Sequence, residues 1–316
     1  MTTEKRSRRQ DKPKKNRKGL KITLIVIGII IIGVGAYGLS IYNNLKETVN
    51  VKMHKPVEAI DVDISKGKIG SNEPLNILLM GIDKREYDSG RSDTLIVLSV
   101  NPKNDTMQMI SIPRDTYVEI VGRGHHDKVN HAYAFGGADM AINTVENFLD
   151  IELDYYVSMN MEGLADMVDA IGGITVQNKL DWEASGFHYA PGDLQLDGEH
   201  TMGYVRMRKQ DPRGDFGRTE RQRQVIQAII KKGASLASVN KIGDMVDVLG
   251  NNMETNMDFD VMKDLVLNYK NVTKNSVSYM MEGQGTSIGG IYYYVVPEEE
   301  IAKVHDMIEK GGQSPL

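Results

Sequence analysis

From residue 75 onward the chain alternates short apolar runs with longer stretches in which apolar residues recur every three or four positions. LNILLMG at 75–81 has the pattern of a buried strand ending on glycine. TLIVLSV at 94–100, the turn NPKND, and TMQMISI at 106–112 with Pro113 behind it read as a β-hairpin. GADMAINTVENFL at 137–149 and NMEGLADMVDAI at 160–171 have helical spacing, and the second stops at Gly172-Gly173 before the strand-like ITVQ. DGEHTMGYVRMR at 197–208 and GRTERQRQVIQAIIKK at 217–232 also read as helices, as do about 238–250 and 258–270. SVSYMM and IYYYVV are strand patterns, and PEEEIAKVHDMIE opens on proline as helices often do. This alternation predicts an α/β fold, a mixed central β-sheet with helices on both faces, in one domain spanning 74–312.

The segment ahead of that domain has a different texture. Residues 22–42 run for 21 positions without a charge, about 31 Å as a helix against a hydrocarbon core of about 30 Å. A cleaved signal peptide would have a shorter apolar core, and Ala36-Tyr37-Gly38 makes a poor cleavage site. Residues 1–21 hold ten Lys and Arg against Glu4 and Asp11, a net +8, while the whole chain is −5. The positive-inside rule then predicts a basic cytoplasmic tail (1–21), a transmembrane signal-anchor helix (22–42), and everything beyond on the outer face of the membrane. Residues 43–73, mixed and without sustained periodicity, read as a stalk. The absence of cysteine excludes disulfides, thiolate metal sites and a cysteine nucleophile.

Charge singles out one stretch. YVRMRKQDPRGDFGRTERQRQ, residues 204–224, carries seven Lys and Arg against Asp211, Asp215 and Glu220. A focused basic site on an acidic body argues against duplex nucleic acid, which favours a broad basic surface. At about 100° per residue, Arg218 and Gln222 share a stripe with Val225 and Ile229, whereas Arg223, Gln224 and Gln227 point away from it. An inward guanidinium is destabilising by several kcal/mol, roughly, unless an anion meets it. Arg206 and Arg208 alternate with Val205 and Met207, and in an extended segment both would face one ligand. Guanidinium forks match phosphate oxygens two at a time. Elsewhere, folding the hairpin about Lys103 brings Asp93 beside Arg114, and an antiparallel first strand adds Asp83 and Arg91 to the same edge. Two carboxylates beside two arginines suit Mg²⁺, which takes one or two carboxylates and completes its shell with phosphate oxygens. His125, His126 and His131 lack any zinc-site signature, and no Ser-His-Asp elbow or Walker motif is present.

LLMGID, RSDTLIV, SIPRDTYV, KVNHAYAFGG, AIGGITV and YVRMR followed by DPRGDFGRTERQRQ occur in this order after the apolar segment. Together they resemble the LytR-CpsA-Psr family of cell-envelope glycopolymer transferases, most clearly over 74–235. The resemblance implies a membrane-anchored phosphotransferase on the cell-wall side of a Gram-positive membrane. It would move a glycopolymer (wall teichoic acid, capsule or a related polysaccharide) from undecaprenyl pyrophosphate to the C6 hydroxyl of N-acetylmuramic acid in peptidoglycan. Mg²⁺ is the implied cofactor, and an apolar tunnel is implied for the prenyl chain. By motif, Asp83 and Asp93 match metal-linked acids, and Arg114, Arg206 and Arg208 match diphosphate-contacting catalytic arginines. Asp215, Arg218 and Gln222 match positions near the diphosphate, with Arg91 beside them; Lys128 and Asn130 belong to a family motif without an assigned role. Two other readings stand beside it: a polyprenyl-pyrophosphate hydrolase, which would use the same groups with water as acceptor, and a non-catalytic membrane regulator of the transcriptional-attenuator type. The predicted topology disfavours direct contact with DNA.

Overall fold

The computed structural model describes residues 39–40, 42–83, 90–235, 249–269 and 271–310. The basic tail and nearly all of the apolar run at 22–42 lie outside them, as does most of the helix expected at about 238–250. Among the described residues no helix is long and apolar enough to cross a membrane.

Residues expected to form a stalk are built into the domain instead, and the compact unit begins at Leu45. Thr48–Met53 makes a π-helical turn that buries Thr48, Val49 and Met53. Asp139 accepts hydrogen bonds from the backbone N–H groups of Glu58 and Ala59 at 2.6 and 2.9 Å. Helix α1 (Val62–Gly70) is capped by Asp61, whose carboxylate accepts from the N–H groups of Asp63 and Ile64. The apolar residues of this segment, Val49, Met53, Ile60 and Ile69, are all buried. They follow no single period because a π-helical turn, a connecting loop and one short helix each bury only one or two of them, which is why the pattern looked like a linker.

The expected hairpin is the spine of the fold. Strands β1 (Leu75–Asp83), β2 (Arg91–Asn101) and β3 (Thr106–Ile112) pair antiparallel, with Leu79 opposite Ile96 and Val97 opposite Ile110. After the small hairpin β4 (Tyr117–Ile120) and β5 (His125–Lys128) come helix α2 (His131–Leu149) and strand β6 (Tyr155–Asn160), which pairs parallel to β1. Helix α2 starts earlier than its periodicity suggested and bends where Gly136 and Gly137 leave helical angles, Gly137 with φ of 65°. Next follow α3 (Met161–Ala170), β7 (Ile174–Asn178), β8 (Trp182–Ala184), β9 (Phe187–Tyr189), β10 (Gly192–Leu196), α4 (Gly198–Arg206) and α5 (Asp215–Ser235). The chain closes with β11 (Met253–Thr255), α6 (Phe259–Asn268), β12 (Asn275–Met280), the hairpin β13 (Gln284–Ile288) and β14 (Ile291–Val295), and α7 (Glu298–Glu309).

The six-stranded sheet has the order β11-β6-β1-β2-β3-β12 and mixes parallel with antiparallel pairs, as the α/β reading expected. ITVQ and IYYYVV are strands but stay out of it: β7 pairs with β10 and β14 with β13 in separate ribbons. Leu78, Met80, Leu95, Val97 and Ile110 bury one face of the sheet together with Val145 of α2 and Val304 of α7. Ile77, Ile96, Leu98 and Met109 bury the other with Ile226 of α5 and Val261 of α6. Alternate residues of each strand therefore enter different cores, so the central strands are apolar throughout.

A third cluster joins α3, α4 and α5 to the β7–β10 ribbon through Val168, Ile174, Tyr204 and Val225. The turn between α4 and α5 is fastened by a buried ion pair. Arg221, 3% exposed, sets Nη1 2.6 Å from Asp211 Oδ2, its Nε donates to the Tyr204 carbonyl at 3.1 Å, and Nη2 donates to the Met207 carbonyl. Gly217 lets α5 pass, since a Cβ there would fall 1.6 Å from Asp211 Oδ2. Burial alone would raise the Asp211 carboxyl, but hydrogen bonds from Arg221 and the Arg213 N–H outweigh it and hold it below the ordinary value. Arg221→Ala should lower unfolding free energy by about 3–5 kcal/mol, because Asp211 would stay buried without its cation; urea denaturation of the solubilised chain checks this. The depressed carboxyl gives a sign as well. The wild-type chain has Asp211's full contribution above the ordinary carboxylate range and loses it as pH falls through the lower folded value. An Asp211→Asn chain should therefore be less stable at neutral pH, and the gap should narrow in acid.

Candidate active site

The β2–β3 register places Leu95 opposite Ile112, so two residues beyond the pairing Asp93 and Arg114 meet at the sheet's edge. Arg114 Nη1 lies 2.6 Å from Asp93 Oδ2. Asp83 and Arg91 are partners at the end of the β1–β2 pair, and a bulge at Gly81-Ile82 sets their register. These four line one polar pocket of about 180 Å³, together with Asp115, Lys128, Asn130 and His131. Lys128 Nζ is 2.7 Å from Asp115 Oδ1, and Asn130 Nδ2 donates to Asp93 Oδ1 at 3.2 Å.

The N-terminus of α5 brings the second half. Asp215 is the first residue of the helix, and its Oδ1 lies 2.8 Å from Arg218 Nη2 and 3.8 Å from Arg208 Nε. Its Oδ2 lies 3.8 Å from Arg114 Nε, which joins the two halves. One carboxylate thus faces three guanidiniums. The alignments are poor: Arg114 Nε and Arg218 Nε and Nη2 are buried without a hydrogen-bond acceptor, and Asp215 Oδ1 lacks a donor. Burial pulls the Arg218 guanidinium below its ordinary value, Asp215 works against that, and Arg114 adds to it. Arg114 is held higher despite its burial by Asp93, Asp215 and Asp115. Guanidinium N–H groups buried without acceptors are destabilising in isolation and ready for a multivalent anion.

Directly behind lies an apolar cavity of about 310 Å³ between the sheet and helices α3 and α5. Ile77, Leu79 and Val157 form its floor, Leu164, Ile226, Ile229 and Ile230 its walls. Gly81, Thr94 and Gln222 line it too, next to Asp93 on β2 and one turn beyond Arg218 on α5. Asp93 and Thr94, consecutive on β2, line the charged pocket and the apolar cavity respectively, so both lie at the same end of the sheet. An amphiphile with an anionic head and a hydrocarbon chain fits that polarity.

The structure separates some residues that the sequence grouped. Helix α4 stops at Arg206 and Met207 is extended (ψ 128°), so Arg206 and Arg208 do not alternate along one extended strand. Arg206 is exposed and lines an outer groove with Glu183, His200, Arg208 and Lys209, away from the Asp93 pocket. On α5, Val225 and Gln222 are buried as the helical wheel expected, but Arg223 is not solvated: it is 9% exposed, with Nη1 3.4 Å from Ser111 Oγ. Gln227 likewise donates to Ser276 Oγ at 2.8 Å, and Gln224 accepts from the Tyr204 hydroxyl at 2.6 Å. The helix has the sheet on one side and the α3–α4 layer on the other, so two faces are buried where one amphipathic stripe was assumed.

Asp115 is pocket lining that sequence reasoning passed over, and Lys128, Asn130 and His131 are lining to which it gave no role at this site. They come from a loop, the end of β5 and the start of α2, with no shared periodicity; the only signal was the KVNH motif itself. His131 Nδ1 lies 2.8 Å from Asp127 Oδ2, a local pair and no zinc ligand set. Among the described residues no group of three His, Cys, Asp or Glu side chains could hold a metal. Asp83 and Asp93 supply two hard carboxylates to one pocket, a donor set that fits Mg²⁺ if water and a ligand's oxygens complete the shell.

A polar, arginine-rich pocket and an apolar chamber thus lie at one end of the sheet in an α/β domain. Residues 37–310 match the model of the LytR_cpsA_psr family, and the chain belongs to that family. It is 49% identical over 277 residues to the polyisoprenyl-teichoic acid--peptidoglycan teichoic acid transferase TagU of Bacillus mycoides, covering 86% of this chain and 90% of that one. The crystal structure of Bacillus subtilis TagU superposes with a TM-score of 0.63 at 44% identity, over 77% of this chain and 99% of that one. A structure of TagT bound to LIIa-WTA superposes with a TM-score of 0.65 at 31% identity, over 76% and 91%.

Arg218→Met should raise the melting temperature, since it removes a buried cation whose donors lack acceptors, while weakening geranyl pyrophosphate binding by at least about tenfold. Thermal melts of the solubilised chain with and without that ligand read both effects.

Proposed function

We propose that the protein is a membrane-anchored phosphotransferase that moves a wall glycopolymer of the teichoic acid type from undecaprenyl pyrophosphate to the C6 hydroxyl of N-acetylmuramic acid in peptidoglycan. The observation that carries this reading is the junction of acceptor-less guanidinium groups with an apolar chamber. A ligand that is both a multivalent anion and a lipid satisfies both, and a prenyl diphosphate is such a ligand. The names of the relatives, teichoic acid transferases, support the acceptor and the polymer class. The uncharged run at 22–42 behind a basic tail supports an anchor that leaves the domain on the cell-wall side.

Phosphoryl transfer is mostly positioning and charge neutralisation. In this reading the prenyl chain lies along Leu79, Leu164 and Ile229, which excludes water from the lipid and fixes the diphosphate at the chamber's mouth. Arg114 and Arg218 turn their spare N–H groups onto its oxygens, and Arg208 closes from the solvent side, with Arg91 and Arg206 farther along the polar edge. Asp215 holds Arg218 in place, and Gln222 sits at the join between head and chain. Asp83 and Asp93 would hold Mg²⁺, which supplies further positive charge to the diphosphate when bound. The acceptor's O6 attacks the phosphorus that carries the glycan, and the bond from that phosphorus to the lipid-side phosphate breaks. Asp93 takes the hydroxyl proton, polyprenyl phosphate leaves, and a phosphodiester joins glycan to glycan.

Arg114→Ala should cost about two to three decades in turnover, as removal of one oxyanion donor does, measured as polyprenyl phosphate released from a lipid-diphosphate saccharide. With peptidoglycan oligomers present, the product should be saccharide linked to glycan. Free sugar phosphate as the sole product would make the protein a hydrolase and sink the transferase reading. Ile229→Trp, which narrows the chamber, should shift the preferred donor toward shorter prenyl chains, read from the relative kcat/KM of geranyl and longer pyrophosphates.

A further inference from the structure

Asn130 occupies the N-cap position of α2, where an asparagine ordinarily accepts a hydrogen bond from the helix's own N–H groups. Here it makes no such bond. Its Nδ2 donates to Asp93 Oδ1 at 3.2 Å, and its backbone N–H donates to the Arg114 carbonyl at 3.3 Å. The side chain is thereby turned from the helix into the polar pocket it shares with Asp83 and Asp93. Asn130 is only 4% exposed, and its Oδ1 is buried with no hydrogen-bond donor in reach. An amide oxygen buried this way is destabilising unless something electropositive meets it. The neighbouring donors are already engaged: Arg114 Nη1 on Asp93, Lys128 Nζ on Asp115.

We infer that Asn130 is a ligand and positioning residue of the divalent-cation site: its Oδ1 is the third protein oxygen beside Asp83 and Asp93, and its Nδ2 holds Asp93 in ligating orientation. This rests on the Mg²⁺ site of the proposed function and adds to it. A neutral amide oxygen suits a pocket in which three carboxylates, Asp83, Asp93 and Asp115, face Arg91, Arg114 and Lys128. It adds a hard donor without a fourth negative charge that would repel the diphosphate.

The test is Mn²⁺ titration of the detergent-solubilised full chain, followed by electron paramagnetic resonance of free Mn²⁺, with circular dichroism confirming the fold of each variant. Asn130→Ala should weaken Mn²⁺ binding about 10- to 100-fold, the usual effect of losing a residue that supports a metal site. Asn130→Asp keeps an oxygen and should bind within a few-fold of wild type. If Asn130→Asp binds as weakly as Asn130→Ala, the direct ligand role is overturned and only the orienting role stands. If Asn130→Ala binds like wild type while Asp93→Asn does not, the inference fails and the cation site survives. If neither Asp83→Asn nor Asp93→Asn changes Mn²⁺ binding, the cation site itself falls, and the inference with it.

Discussion

Asp215 stands within ion-pair distance of Arg114, Arg208 and Arg218; Arg114 also has Asp93 and Asp115, which leaves Asp215 alone to serve both Arg208 and Arg218. This imbalance governs the architecture around it. The helix α5 carries Arg218 inward on the same stripe as Val225, so the cation cannot escape to solvent without dragging an apolar turn with it. The sheet register fixes Arg114 opposite Asp93, so that cation cannot retreat either. A site held short of anionic charge by its own secondary structure is preorganised: the donors are already desolvated and aimed when a diphosphate arrives. The stability given up at Arg218 is offset elsewhere, most visibly at the clasp between Arg221 and Asp211, ten residues apart across the α4–α5 corner.

Two arginines of one motif, three residues apart, thus have opposite roles. Arg218 lacks acceptors for Nε and Nη2, whereas Arg221 donates to a carboxylate and two carbonyls. Residue type and helical spacing do not separate them. What separates them is the path of the 207–214 turn, which loops back to offer Arg221 the Tyr204 and Met207 carbonyls. Arg223 is a third case, buried against β3 with a single weak bond to Ser111. Guanidinium burial therefore reports a ligand site only when the missing acceptors face a cavity.

The hairpin, the mixed sheet and its two helical layers were legible because central strands and amphipathic helices leave periodic traces. So was the convergence of Asp83, Arg91, Asp93 and Arg114, since a hairpin's centre determines which residues meet across it. Three things were not legible. Residues 48–73 join the domain through scattered plugs such as Met53 and Ile69, which carry no period. The α4 terminus at Arg206 depends on the backbone turning extended at Met207, next to the buried clasp, and nothing in YVRMR announces it. Asn130 carried only a motif without a role in the sequence, and its place at the start of α2 with an orphaned Oδ1 is visible only in the structure.

Length scale adds a constraint on the substrate. A cavity of about 310 Å³ is at the small end of ordinary ligand sites. An eleven-unit prenyl chain is far larger, so the chamber can enclose only the segment nearest the diphosphate unless its walls part. The walls that could move are unequal. Leu79 and Val157 belong to central strands paired on both sides, whereas Ile229 and Ile230 sit on the far half of α5. The exposed residues Val266 and Leu267 on α6 show that the layer beyond α5 is only partly covered. Side chains on paired central strands are held by hydrogen bonds along both strand edges, whereas those on α5 are held against the sheet by packing and isolated side-chain hydrogen bonds, so the strand side is the more rigid wall of the chamber.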